Sequence, residues 1–115
     1  MAESNLLTRL DAWLREHVES QERGLFPALI ESMGASDAVC LHELTGESIR
    51  QHRALEAALR RAASGRTPVD ELAASCRKHL AGEQSELLPM AARLLGTDEV
   101  GRCSGVQRLD AVPDR

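Results

Sequence analysis

Apolar residues recur along this chain in three long runs of helical spacing, each closed by a short cluster of small and helix-breaking residues. In the first run Leu6, Leu10, Trp13, Leu14, Val18, Leu25, Ala28 and Leu29 are separated by polar residues, which predicts an amphipathic helix from Asn5 to about Ser32. Ser4 or Asn5 can cap its start, Gly34 is placed to stop it, and Pro27 removes one backbone hydrogen bond and predicts a bend. After the turn Gly34-Ala35-Ser36, with Ser36 or Asp37 as cap, Leu41, Leu44, Ser48, His52, Leu55 and Leu59 mark one face of a second helix from about Asp37 to Ala63. Gly46 weakens its middle by roughly 1 kcal/mol relative to Ala, so Glu47 to Ala63 is its firmer part.

Ser64-Gly65-Arg66-Thr67-Pro68 breaks the pattern, with Thr67 as a natural cap and Pro68 suited to the first helical position. The third helix, about Pro68 to Leu95, packs through Leu72, Cys76, Leu80, Leu87, Met90 and Leu94 and stops at Gly96. Residues 97–115 contain few large apolar side chains, and predict a flexible tail with at most a weak turn around Val106 to Leu109. The chain therefore divides into a helical domain, residues 1–96, and a C-terminal tail, residues 97–115.

Composition supports the all-α reading. Only 2% of residues are aromatic, against 43% apolar, and strands would demand more aromatic and β-branched side chains. The net charge of -4, with Arg and Glu interspersed and no basic cluster, argues against a nucleic-acid partner or a membrane surface. The N-terminal residues lack the basic and apolar blocks of a signal peptide, and no apolar run approaches a membrane span, which predicts a cytoplasmic protein. Cys40, Cys76 and Cys103 are odd in number and widely spaced, as reduced thiols would be.

Each helix places one histidine in the middle of its apolar face: His17, His52 and His79. One such histidine is ordinarily a satisfied core residue. Three at similar depths in successive antiparallel helices point instead to a ligand set, because facing helices can converge several imidazoles on one ion. Glu83, four residues after His79, would present a carboxylate beside that imidazole. The stretch around His79 also repeats an earlier one at an offset of 62, which superimposes His17 on His79, Leu25 on Leu87 and Pro27 on Pro89, and sets Gln21 against Glu83. His42 lies about 80° around the helix from His52 and is expected to face outward. Cys76 reads as a small core residue in preference to a thiolate ligand.

His17 followed by Leu25-Phe26-Pro27, Gln51-His52-Arg53-Ala54-Leu55 with Leu59, and His79, Glu83 and Leu87-Leu88-Pro89 together resemble the hemerythrin family of cation-binding domains, over roughly Leu6 to Leu95. The resemblance implies three main helices of a four-helix bundle, a non-haem iron centre held by histidines and carboxylates, and sensing, carriage or storage of iron, oxygen or nitric oxide. By position, His17, His52, His79 and Glu83 are the implied metal ligands. Three departures qualify it. Gln21 stands where the family has a bridging glutamate, and an amide offers only a neutral oxygen; Ser48 stands where oxygen carriers have a further histidine; and the family's first helix has no counterpart. Gln21 and Glu22 remain as auxiliary ligands, Glu22 only if the helix rotates or bulges near Gly24. Four strong ligands suit one divalent ion, zinc or iron, better than two irons. A core built for four helices would leave a groove, to be covered by a second copy in a homodimer or by a helix encoded upstream of Met1. The alternative function is a metal-free helical interaction module that keeps the fold. No nucleophile with its base, phosphate loop or paired-carboxylate site points to an enzyme.

Overall fold

The computed structural model describes residues 2–32, 38–96, 98, 100 and 111–114, and within them the chain is helical almost from end to end. Helix α1 (Ala2–Ser20) runs through a π-helical turn, Gln21–Leu25, into α2 (Phe26–Ser32). Helix α3 (Ala38–Ala63) returns antiparallel to it, with Gly46 accommodated in an unbroken helix. Helix α4 (Val69–Gly82) runs through a second π-helical turn, Glu83–Leu87, into α5 (Leu88–Leu95). The expected turn at Gly34-Ala35-Ser36, its caps and the turn around Val106 to Leu109 fall outside the described residues.

The breaker cluster behaves as its chemistry dictates, with one shift of register. Pro68 is the N-cap, in extended backbone at φ -63° and ψ 144°, and Val69 takes the first helical position. Asp70 and Glu71 then place negative charge in the first turn, where the helix dipole favours it. At the far end Gly96 ends α5 at φ 85°, a left-handed value that a side chain would resist, and its N–H donates to the carbonyl of Ala92.

The two π turns have a common cause. His17, Gln21, Leu25 and Leu29 recur every four residues, as do His79, Glu83, Leu87 and Ala91. In a uniform α-helix each four-residue step drifts about 40°, so the last member of either series would leave the face on which the first one lies. The wider turn takes up the drift: the N–H of Phe26 donates to the carbonyl of Gln21, and that of Leu88 to the carbonyl of Glu83, each five residues back. Pro27 and Pro89 follow immediately, and their rings favour the distortion because they crowd the preceding turn and ask for no bond of their own. All eight residues of the two series are buried.

Helix α1 packs on α3 and α4, α3 packs on α4, and α2 packs on α3 and α5. The interior is layered. One apolar cluster gathers Leu6, Leu10, Leu14, Leu55, Leu72, Cys76 and Leu80; the other gathers Leu25, Phe26, Leu29, Leu87 and Ala91. Each fully buried leucine contributes about 1.5–3 kcal/mol. Between the clusters lies a polar band of His17, Gln21, Ser48, His52, His79 and Glu83, all buried. Among the described residues Ile30, at 39% exposure, is the large apolar side chain left in solvent. No helix among them is long and apolar enough to cross a membrane.

Residues 111–114 are attached to the bundle. Val112 is buried in the first cluster, Arg9 donates to the carbonyl of Asp114, and Arg77 donates to the carbonyl of Pro113 and pairs with the Asp114 carboxylate. Residues 111–114 thus depart from the tail expected on sequence, because one valine and two arginines outweigh the polar composition around them.

Candidate metal centre

The polar band brings together residues far apart in the chain. His17 comes from the last turn of α1, His52 from the middle of α3, His79 from the last turn of α4, and Glu83 opens the second π turn. One donor atom from each of the four lies within 4.8 Å of the others. Three of those atoms form an equilateral triangle: His17 Nε2 to His79 Nε2, His17 Nε2 to Glu83 Oε1, and His79 Nε2 to Glu83 Oε1 are all 3.2 Å. A tetrahedral ion with bonds of about 2.0 Å separates its ligands by about 3.3 Å, so the triangle has the dimensions of one face of such a site. His52 brings a fourth donor within 4.8 Å of the others, and its Nε2 is buried without a hydrogen-bond partner.

Outer contacts fix which nitrogen each ring turns inward. The Nδ1–H of His52 donates to Glu22 Oε2 at 2.7 Å, and Arg53 holds the other oxygen of that carboxylate. The Nδ1–H of His79 donates to Gln51 Oε1 at 2.6 Å. With Nδ1 committed as donor in both rings, Nε2 of the neutral imidazole carries a lone pair, the form that binds a metal. Ser48 Oγ donates to Glu83 Oε2 at 2.7 Å, leaving Oε1 to face the imidazoles. Trp13 stacks on His17 with ring centroids 4.9 Å apart, and Phe26 lies parallel to His52 at 6.2 Å, so aromatic faces screen the rings from water.

Electrostatics follow from this packing. Burial pushes His52 down to about 4, against the opposing pull of Glu22, and keeps the ring neutral. Burial alone would raise the Glu83 carboxyl, but the close approach of His17 and His79 outweighs it and holds the group well below the usual carboxylate range. Lone pairs and a carboxylate converging at 3.2 Å repel unless a positive charge, a proton or a metal cation, sits among them. Such a set of three imidazoles and one carboxylate fits a single borderline divalent ion.

Gln21 is buried at the position equivalent to Glu83. Glu22, Cys76 and His42 fall outside the cluster of donors. Glu22 does lie on a bulged helix, yet its carboxylate sits behind His52 as a hydrogen-bond acceptor. Cys76 is buried in the apolar cluster, and burial raises its thiol to about 11, which keeps it neutral. His42 is exposed. Three contributors carry no sequence signal of their role: Gln51 and Glu22 as partners of the imidazoles, and Ser48 as donor to Glu83. The strict four-residue spacing after His17 and His79 is the one available sign of the π turns. Comparison of the chain with protein-family models, with curated proteins and with solved structures finds no match.

Proposed function

We propose that this chain is a hemerythrin-like metal-binding protein with a reduced ligand set, holding one divalent ion through His17, His52, His79 and Glu83. The observation that carries the reading is the 3.2 Å triangle of His17, His79 and Glu83 donors, closed by the buried and otherwise unpartnered Nε2 of His52. Glu22, Gln51 and Ser48 orient the donors, which spares the site the entropy of ordering them when the ion binds. Iron and zinc both match the donor chemistry; iron, when bound, would supply affinity for a small diatomic ligand such as oxygen or nitric oxide. The family resemblance favours iron, and sensing, carriage or storage follow from it as the roles to test.

Purified protein incubated anaerobically with Fe²⁺ or with Zn²⁺, then desalted, should retain close to one ion per chain. His79→Ala should abolish retention. Near-zero metal in the wild type, unchanged in the variant, together with a melting temperature indifferent to chelator, would refute the proposal and leave the metal-free interaction module as the reading.

A further inference from the structure

Two openings of opposite charge flank the proposed centre, and they share Gln51 and Gly82 in their walls. One is a cleft of about 130 Å³ between α3 and the second π turn, bounded by Leu44, Glu47, Ser48, Glu83, Glu86 and Leu87. It carries three carboxylates and no cationic side chain in its lining. The other is a groove of about 500 Å³ between α3 and α4, which reaches His79 and is lined by Arg61 and Lys78 with no carboxylate.

Glu83 makes the acidic cleft more than a patch of surface acids. Its side chain is only 4% exposed, its Oε1 lies 3.2 Å from both His17 Nε2 and His79 Nε2, and the same residue is both a wall of the cleft and a corner of the donor triangle. At the rim Glu47 is paired with Arg50 at 2.7 Å, whereas Glu86 is exposed and has no ion-pair partner among the described residues. The Ser48 hydroxyl holds Glu83 Oε2 inside the cleft.

We infer that the cleft between α3 and the second π turn is the port through which the cation reaches the centre, with Glu86 drawing it to the rim and Glu83 passing it from cleft to imidazoles. This rests on the metal-binding reading above. A dissociable cation needs a path on which its lost waters are replaced by oxygen donors, and the cleft supplies carboxylate oxygens along its wall. The opposite groove would repel it through Arg61 and Lys78.

The test is stopped-flow loading of the metal-free full chain with Co²⁺, read by the visible absorption of the bound ion, and release of that ion into excess chelator. Glu86→Gln should slow loading several-fold and Glu86→Lys roughly tenfold at low ionic strength, with the differences collapsing near 1 M salt, where charges are screened within about 3 Å. Release should slow as well, because the ion leaves by the same path, so Kd changes less than the association rate. Lys78→Gln with Arg61→Gln should change the loading rate less than Glu86→Gln does. A loading rate indifferent to Glu86, or one changed more by the Lys78 and Arg61 substitutions than by Glu86→Gln, would overturn the port while leaving the metal reading standing. Absence of Co²⁺ uptake by the wild type at equilibrium would overturn both.

Discussion

Acidification should destabilise the metal-free protein through His52. In the unfolded chain this imidazole titrates at its ordinary 6.5, whereas burial lowers it to about 4 in the fold. The unfolded state therefore binds the proton first, and its advantage grows as pH falls from 6.5 toward 4. Linkage over that interval, evaluated between about pH 7.5 and pH 4.5, gives a loss of about 2.5 kcal/mol from this one group. A domain of this size has only about 5–15 kcal/mol in hand, so the loss is visible. The assay is urea unfolding followed by far-ultraviolet circular dichroism, in chelator, at both pH values, for the wild type and His52→Leu. Every other ionisable group is common to the two proteins. The substituted protein should lose about 2.5 kcal/mol less than the wild type on acidification. Equal losses would show that His52 is not the buried neutral group that the packing of Phe26 and the neighbouring rings makes it. Should the variant fold poorly, NMR titration of the His52 ring in the wild type measures the same lowered pKa directly, and an ordinary value there would refute the reasoning equally.

Other expectations concern affinity and packing. Glu22→Gln should weaken metal binding by about 10–100-fold in a chelator competition, because His52 loses its charged partner while the four ligands remain. Leu80→Ala, at a fully buried position beside His79, should cost about 2–5 kcal/mol in thermal or urea unfolding whether or not metal is present. Metal at about a hundred times its Kd should stabilise the fold by about 2.7 kcal/mol, seen as a melting temperature that chelator lowers. Pro89→Ala should raise the melting temperature, since alanine is the better helix former, while reducing metal retention as the second π turn loses the ring that favours it.

The helices and the four clustered residues are legible in the sequence because both leave periodic traces. Leu6, Leu10 and Leu14 mark a face by spacing alone, and the copy of His17 at His79 marks depth by repetition. What is not legible depends on tertiary approach. Gln51 is exposed and ordinary in sequence, and it acquires its role only because α4 brings the back of the His79 ring to its amide. Ser48 reads as a histidine lost, whereas in the fold it is the hydroxyl that steadies Glu83. The sequence makes Glu22 a ligand should the helix bulge; the helix does bulge, but the direction of the side chain places its carboxylate behind the imidazole. Val112 shows the same limit at the other end of the chain, where a single apolar residue with two arginine contacts attaches a segment of polar composition.

The paired π turns bear on how such a centre can be gained or lost. Each amounts to one residue more than a straight helix would need between histidine and proline, so the geometry of the site is written in the length of the chain as well as in the identity of its ligands. Removing one residue from 22–24 or from 84–86 would leave every ligand in place and a smoother helix behind. It would nevertheless turn the downstream face by about 100° and carry Leu25 and Leu29, or Leu87 and Ala91, away from the interior they now fill. A search for proteins with this centre should therefore count the residues between histidine and proline, since a homologue shortened by one there can retain every ligand and have lost the packing that holds them together.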